Sequence, residues 1–241
     1  MPEDRCPQRS SCARAREMGI TIGRLPTGMH NAITDVAGVL VGHATLVSGE
    51  GPLVVGQGPV RTDVTVVLPS RTIGHGEAGH DAVFAGYHAL NGAGEMTGMA
   101  WIVEAGILST PIALTNTHSV GVVRDALVTY STEQAMAAGS AVVNLRDQWF
   151  NPVVAETWDG ALSDINGMHV KPEHVAQALT DARGGPVVKG CVGGGTGMIC
   201  HGFKGGIGTS SRVVAASGWR QHGATVSFRG GAPGGRAIVR T

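Results

Sequence analysis

The chain has 241 residues, the length of one large domain or two small ones, and a compact fold of this size would bury roughly 70 to 75% of the chain surface. Eighteen basic and eighteen acidic side chains cancel to zero net charge, and no basic stripe is interleaved with aromatics, which excludes a nucleic-acid binder. No apolar run approaches the roughly 18 residues of a membrane span, and the charged N-terminus lacks the apolar stretch of a secretory signal, so the expectation is a soluble cytoplasmic protein. Aromatic residues are only 4%, so the core must be built from aliphatic side chains, while 38 glycines predict many turns and close backbone contacts.

Residues 1–18 have few apolar positions and no sustained period, and read as an N-terminal tail. A domain is expected over 19–218. Its first part alternates short apolar runs (Val39 to Val41, Leu53 to Val55, Val64 to Leu68) with glycine and proline turns, the pattern of strands. Asp81 could cap a helix carrying Val83, Phe84, Tyr87 and Leu90. Trp101 to Ile107 and Pro111 to Thr115 read as strands. Ser119 opens a helix in which Val122, Val123, Ala126, Leu127 and Tyr130 recur at three and four residues. Pro172 and Glu173 open another that Gly184 and Gly185 stop. Helices mixed with adjacent strands predict a layered α/β or α+β domain. Residues 219–241 form an atypical tail, in which Gly230, Gly231, Pro233, Gly234 and Gly235 argue against a core strand and for a sheet edge left open.

Few segments carry chemistry by spacing alone. The run from Gly190 to Met198, continued from Phe203 to Arg212, is glycine-rich but matches neither phosphate-loop pattern, since Lys204 precedes its glycines; close backbone packing around a site is the reading. His75, Glu77 and His80 lie in a glycine-containing loop with the histidines five apart, unlike a zincin helix, and no metal or other cofactor is expected. Cys6, Cys12, Cys191 and Cys200 have neither zinc nor redox spacing and read as free thiols. No G-x-S-x-G elbow exists. Gly139-Ser140 could in principle be a self-cleavage bond, but it falls where the helix from Ser119 should end. Glu156, Asp159 and Asp164 follow a strand-like approach and could receive a cation or cap turns.

Together the segments resemble the L-aminopeptidase/D-esterase family, which includes the β-peptidyl aminopeptidases. The likeness is carried by Leu25-Pro-Thr-Gly, Asn31-Ala-Ile-Thr-Asp-Val, Val41-Gly-His, Asp63-Val-Thr-Val-Val-Leu-Pro and Asn91-Gly-Ala-Gly-Glu-Met-Thr-Gly. It continues in Pro111 to Val123, in Val154-Ala-Glu-Thr-Trp-Asp-Gly, in Asp164-Ile-Asn-Gly and in the glycine motif, over about residues 15 to 214. The resemblance implies a four-layer α/β/β/α sandwich, made as a precursor that cuts itself at a Gly-Ser bond and uses the freed N-terminal serine as nucleophile. It also implies hydrolysis of N-terminal residues from peptides, amides and esters without metal, and assembly into homo-oligomers of processed α and β chains. Glu156 would bind the substrate's free amino group, and Trp158 stands where a family tyrosine can serve the oxyanion, offering an indole N–H instead.

After Val214 the expected likeness stops, and no residue of this chain matches the nucleophile, so no catalytic residue is assigned. The expectation is most of an α chain, with the C-terminal part of the fold missing, inactive alone and in need of a β-chain-like partner. The rival expectations are a catalytically dead binding or assembly subunit and, more remotely, an acyltransferase related to the ornithine acetyltransferases, for which no Gly-Thr cleavage context is present.

Overall fold

A computed structural model describes residues 14–70, 82–89, 92–137 and 149–214, and the backbone of 222–226 and 236–240. His75, Glu77, His80, Asp81, Leu90, Asn91, the Gly139-Ser140 pair, Cys6 and Cys12 lie outside these residues.

Two strands of nine residues, β1 (Leu40–Ser48) and β2 (Val60–Leu68), pair antiparallel through their whole length. β2 then pairs antiparallel with β5 (Ile112–Asn116), and β5 pairs parallel with β6 (Val153–Thr157), giving the sheet order β1-β2-β5-β6. The chain between β5 and β6 contains α2 (Val120–Ala137), the helix that a parallel crossover requires. α2 turns Val120, Val123 and Leu127 onto the sheet, the three- and four-residue spacing expected from the sequence. α3 (Pro172–Thr180) adds Val175 and Ala178 to the same layer, against Ala44, Val64, Val66, Ala113 and Val154. Proline occupies its first turn, as predicted, where the missing N–H has no intrahelical partner to lose. Gly42 of β1 faces α3 so closely that a Cβ there would overlap the carbonyl of Ala178, so glycine sets the helix-to-sheet distance.

The other face of this sheet packs against a second one, of order β4-β3-β11-β10-β9, through Val41, Val67, Ile112 and Val153. Its members are β3 (Val83–His88), β4 (Ile107–Leu108), β9 (Ser211–Val213), β10 (His222–Val226) and β11 (Arg236–Arg240). A small hairpin, β7 (Ile199–Cys200) and β8 (Phe203–Lys204), stands apart from both sheets. The described residues thus fill a helix layer and two sheet layers of a mixed α/β fold.

Three local expectations are corrected. Val83 to His88 is a strand, not a helix: Val83, Ala85 and Tyr87 are half-buried while Phe84, Gly86 and His88 are exposed, a period of two that outweighs the apolar spacing of four. Trp101 to Ile107 is mostly the short helix α1 (Met99–Ala105), not a strand. Gly98 and Gly106, both left-handed at φ 74° and 68°, bracket it, and Gly106 caps it by donating its N–H to the Ile102 carbonyl. The segment 219–241, expected to stay outside the sheets, contributes β10 and β11, and β11 lies between β3 and β10. The glycines and proline at 230–235 fall between these strands in sequence, so they interrupt neither.

Candidate active site

β5 and β6 are the parallel pair, so their carboxyl ends open on one spot, the usual place for ligands in parallel α/β arrangements. Glu156 is the fourth residue of β6 and is half-buried there. Thr117, the first residue after β5, donates its hydroxyl to Glu156 Oε2 at 2.5 Å. Thr117 begins a 3-10 turn, Thr117–Ser119, that runs into α2, and Asn116 Oδ1 caps the turn by accepting the Ser119 N–H at 3.0 Å. The carboxylate therefore sits beside the amino end of an 18-residue helix, whose dipole favours negative charge.

The segment 94–97 runs along the open side of β6. Met96 bridges to Ala155; the Thr97 N–H donates to the Val154 carbonyl, and the Thr97 hydroxyl donates to the Pro152 carbonyl and accepts the Val154 N–H. This places Gly94 against the acid, where a Cβ would stand 2.8 Å from Glu156 Oε1. Sequence reasoning gave no role to Thr117 or Gly94. The signal was a threonine immediately after a parallel strand, which is visible only once the pairing of β5 with β6 is known.

Trp158, the second expected binding residue, is 52% exposed just beyond β6. Its indole lies over Gly160, whose Cβ would come within 3.0 Å of the ring, so the turn needs glycine for the ring to lie flat. Asp159 turns inward and is buried. Burial pushes its carboxyl up to about 6, the Thr62 hydroxyl only moderating this, since neither Asp159 oxygen has a hydrogen bond of good geometry. Asp63 on β2 is buried nearby; burial first, and the charge of Asp159 second, raise it well above the ordinary carboxylate range. Asp164 caps a turn: its Oδ2 accepts the Gly56 N–H at 2.7 Å and pairs with His169 Nε2 at 2.8 Å. Burial opposes its ionisation, but the His169 ring and the Gly56 and Gly167 N–H groups outweigh it and hold the carboxyl below its usual value. The three acids expected as one group thus do three things, and Glu156 is the one placed at the mouth of the parallel pair.

The glycine motif is a backbone packing device. Residues Gly193–Gly195 make a 3-10 turn pressed onto the first sheet, with the Gly193 N–H donated to Thr45 Oγ1 at 2.9 Å and the Gly194 N–H to Thr65 Oγ1 at 2.8 Å. A Cβ on Gly193 would overlap Thr65 and His43, and one on Gly195 would overlap Ile207 and Gly190. The Gly193 and Gly194 amides, donated to threonines, fasten the turn to the sheet. Lys204 holds the loop from the far side by donating to the carbonyls of Gly195 at 3.1 Å and Gly205 at 2.7 Å. His43 lies beneath it, with Nδ1 2.9 Å from Thr65 Oγ1; burial, then the Arg183 charge, lower its pKa against a hydrogen bond at Val188. Cys191 and Cys200 are free thiols. Among the described residues, no group of three or more His, Cys, Asp or Glu side chains is placed to hold a metal ion, and no helix is long and apolar enough to cross a membrane.

Comparison with known proteins fits this geometry. The family model described as Peptidase family S58 matches residues 31–228. Beta-peptidyl aminopeptidase BapA of Sphingosinicella microcystinivorans is 53% identical over 205 residues, which are 85% of this chain and 48% of that protein. The chain spans about half the length of the curated relatives it matches. Among solved structures, a beta-aminopeptidase of a Burkholderia species aligns with a TM-score of 0.76 and 51% identity, over 90% of this chain and 57% of the other. The L-aminopeptidase D-Ala-esterase/amidase of Ochrobactrum anthropi, described as a prototype for the serine aminopeptidases and a variant of the Ntn hydrolase fold, aligns with a TM-score of 0.77 and 39% identity, over 91% of this chain and 61% of the other. The class defined here is therefore the mixed α/β fold of the Ntn-hydrolase-type aminopeptidases. The chain belongs to peptidase family S58. The family match continues past Val214 to residue 228, further than the motifs alone suggested.

Proposed function

We propose that this chain carries the amine-binding half of an aminopeptidase site, for the hydrolysis of N-terminal residues from peptides, amides or esters by an N-terminal serine nucleophile. The observation that supports it is Glu156: a half-buried carboxylate at the carboxyl ends of a parallel pair, fixed by Thr117 beside the start of α2. A substrate's α- or β-ammonium against such a group makes a charge-assisted contact. Trp158, exposed at the same mouth, offers an apolar face to the substrate and an indole N–H to its carbonyl oxygen. The nucleophile belongs to a β-chain-like segment that pairs with this one, and the assembly is a homo-oligomer of such pairs.

A catalytically dead binding or assembly subunit would keep the same acid without the chemistry, and activity tells the two apart. Loss of one member of a catalytic unit costs orders of magnitude in rate. The purified 241-residue protein should therefore leave aminoacyl p-nitroanilides intact. Joined to a β-chain-like segment of a relative after Val214, it should process itself and turn them over, and Glu156→Gln should slow free-amine substrates roughly tenfold to a hundredfold, without altering processing. Turnover by the 241 residues alone, abolished by Ser140→Ala, would place the nucleophile at Ser140 and sink this reading. A processed chimera that never turns over would favour the dead subunit.

A further inference from the structure

We propose that Thr117 is a positioning residue that makes Glu156 one-sided, and that Gly94 keeps the remaining side open for a primary ammonium. The inference rests on the reading of Glu156 as an amine anchor and adds how the anchor is aimed.

A carboxylate has two oxygens of equal basicity, and on a flexible glutamate either can turn to a ligand. Here the symmetry is broken. The Thr117 hydroxyl donates to Oε2 at 2.5 Å, and Thr117 cannot drift, because its backbone is in the capped turn between β5 and α2. Oε1 is left as the oxygen directed along the 94–97 segment, where the backbone of Gly94 passes it without a side chain. That segment is itself fastened to β6 at Met96 and Thr97, so Gly94 cannot retreat to admit a larger residue. A Cβ 2.8 Å from Oε1 would occupy the approach to that oxygen. Thr117 thereby stops the acid from swinging away, and Gly94 leaves room for the group that reaches it. The Thr117 oxygen also keeps lone pairs after donating its proton, so a second N–H of the same ammonium can be accepted there.

The test needs no turnover. The full chain is titrated with β-alaninamide and, as a control, with its N-acetyl derivative, following two-dimensional NMR shifts, with thermal unfolding run on each variant to check folding. Wild-type protein should prefer the free amine, and Glu156→Gln should abolish that preference. Thr117→Val, which keeps the shape and loses the hydroxyl, should weaken free-amine binding about tenfold. Thr117→Ser should restore it to within about twofold, a rescue that a purely structural role for the methyl group would not give. Gly94→Ala should weaken binding strongly in the wild-type background and much less in the Thr117→Val background, where Glu156 is free to turn away. Thr117→Val binding as well as wild type, or Gly94→Ala and Thr117→Val effects that simply add, would overturn the inference while leaving the anchor intact. A wild-type chain with no preference for the free amine would overturn the anchor and the inference together.

Discussion

Strand β2 of the helix-covered sheet and strand β3 of the second sheet are buried in opposite ways. β2 is buried at eight of its nine positions, because α2 and α3 cover one face and the second sheet the other. β3 alternates, with Val83, Ala85 and Tyr87 toward the first sheet and Phe84, 77% exposed, on the outside. A strand covered on both faces buries nearly every side chain, in β2 including the polar Thr62, Asp63 and Thr65, and a strand covered on one face becomes an alternation. The first kind tolerates little change at any position, whereas the second tolerates it at every other one.

The largest effect should come from the covered face. Leu127 of α2 is fully buried between helix and sheet, and Leu127→Ala should cost about 3 kcal/mol by the usual scale for such cavities. Urea unfolding measures it, and a loss under about 1 kcal/mol would mean that the helix layer packs loosely. Next comes the buried acid at the edge of this sheet. Asp159 is raised from 3.8 to about 6 by burial, so the folded state holds a proton that the unfolded chain gives up. Its contribution is complete below pH 3.8 and is lost as pH rises through 6, a swing of about 3 kcal/mol for a shift of this size. Asp159→Asn should therefore gain stability relative to wild type as pH rises from 4 to 7, with Asp63 still adding a slope of the same sign in both proteins. A constant difference between the two unfolding curves across that range would contradict the assignment. The smallest effect is expected on the outer face: Phe84→Ser should change stability by less than about 0.5 kcal/mol. A cooperative loss of several times that would show Phe84 to be covered, and would erase the contrast between the sheets.

The same contrast explains what the sequence discloses. The run Val64 to Leu68 is legible because four of its five residues are apolar, α2 is legible from its apolar spacing of three and four although Asn116 and not Ser119 supplies the cap, and α3 is legible because a proline precedes such a spacing. Val83 to His88 is misread because Val83, Phe84 and Tyr87 satisfy a helical spacing as well as a strand one, and only the neighbouring strands decide. Trp101 to Ile107 fails for the opposite reason: β-branched and aromatic residues favour a strand, but two left-handed glycines enclose them in two turns of helix. In the site, Glu156 is found through its motif, since the acid lies in a fixed run of seven residues. Thr117 and Gly94 are not found that way. They lie 39 and 62 positions away, and a parallel pairing joined through a helix leaves no local period to connect them.

The N-terminal segment meets the far end of the described domain in a clasp. Arg14, inside the stretch expected to be a tail, donates to the carbonyls of His30, Asn31 and Thr209. Asp35 accepts the N–H groups of His30 and Ala32 and the hydroxyl of Ser211; burial, the largest single influence, raises its pKa, but these donors together outweigh it and hold the carboxyl below its usual value. Ser211 Oγ in turn accepts the Gly28 N–H, and Thr209 Oγ1 accepts that of Ile33. During synthesis the groups of Arg14, Gly28, Ile33 and Asp35 that bond to Thr209 and Ser211 emerge while those partners, 176 to 195 residues further along, are still unmade. The β1–β2 hairpin can form at once on the ribosome, but the segment ahead of it must wait, its polar groups held by water, until Thr209 and Ser211 have left the exit tunnel. A ribosome stalled a few codons before Thr209 would therefore carry a chain whose hairpin resists protease better than residues 14–35 do.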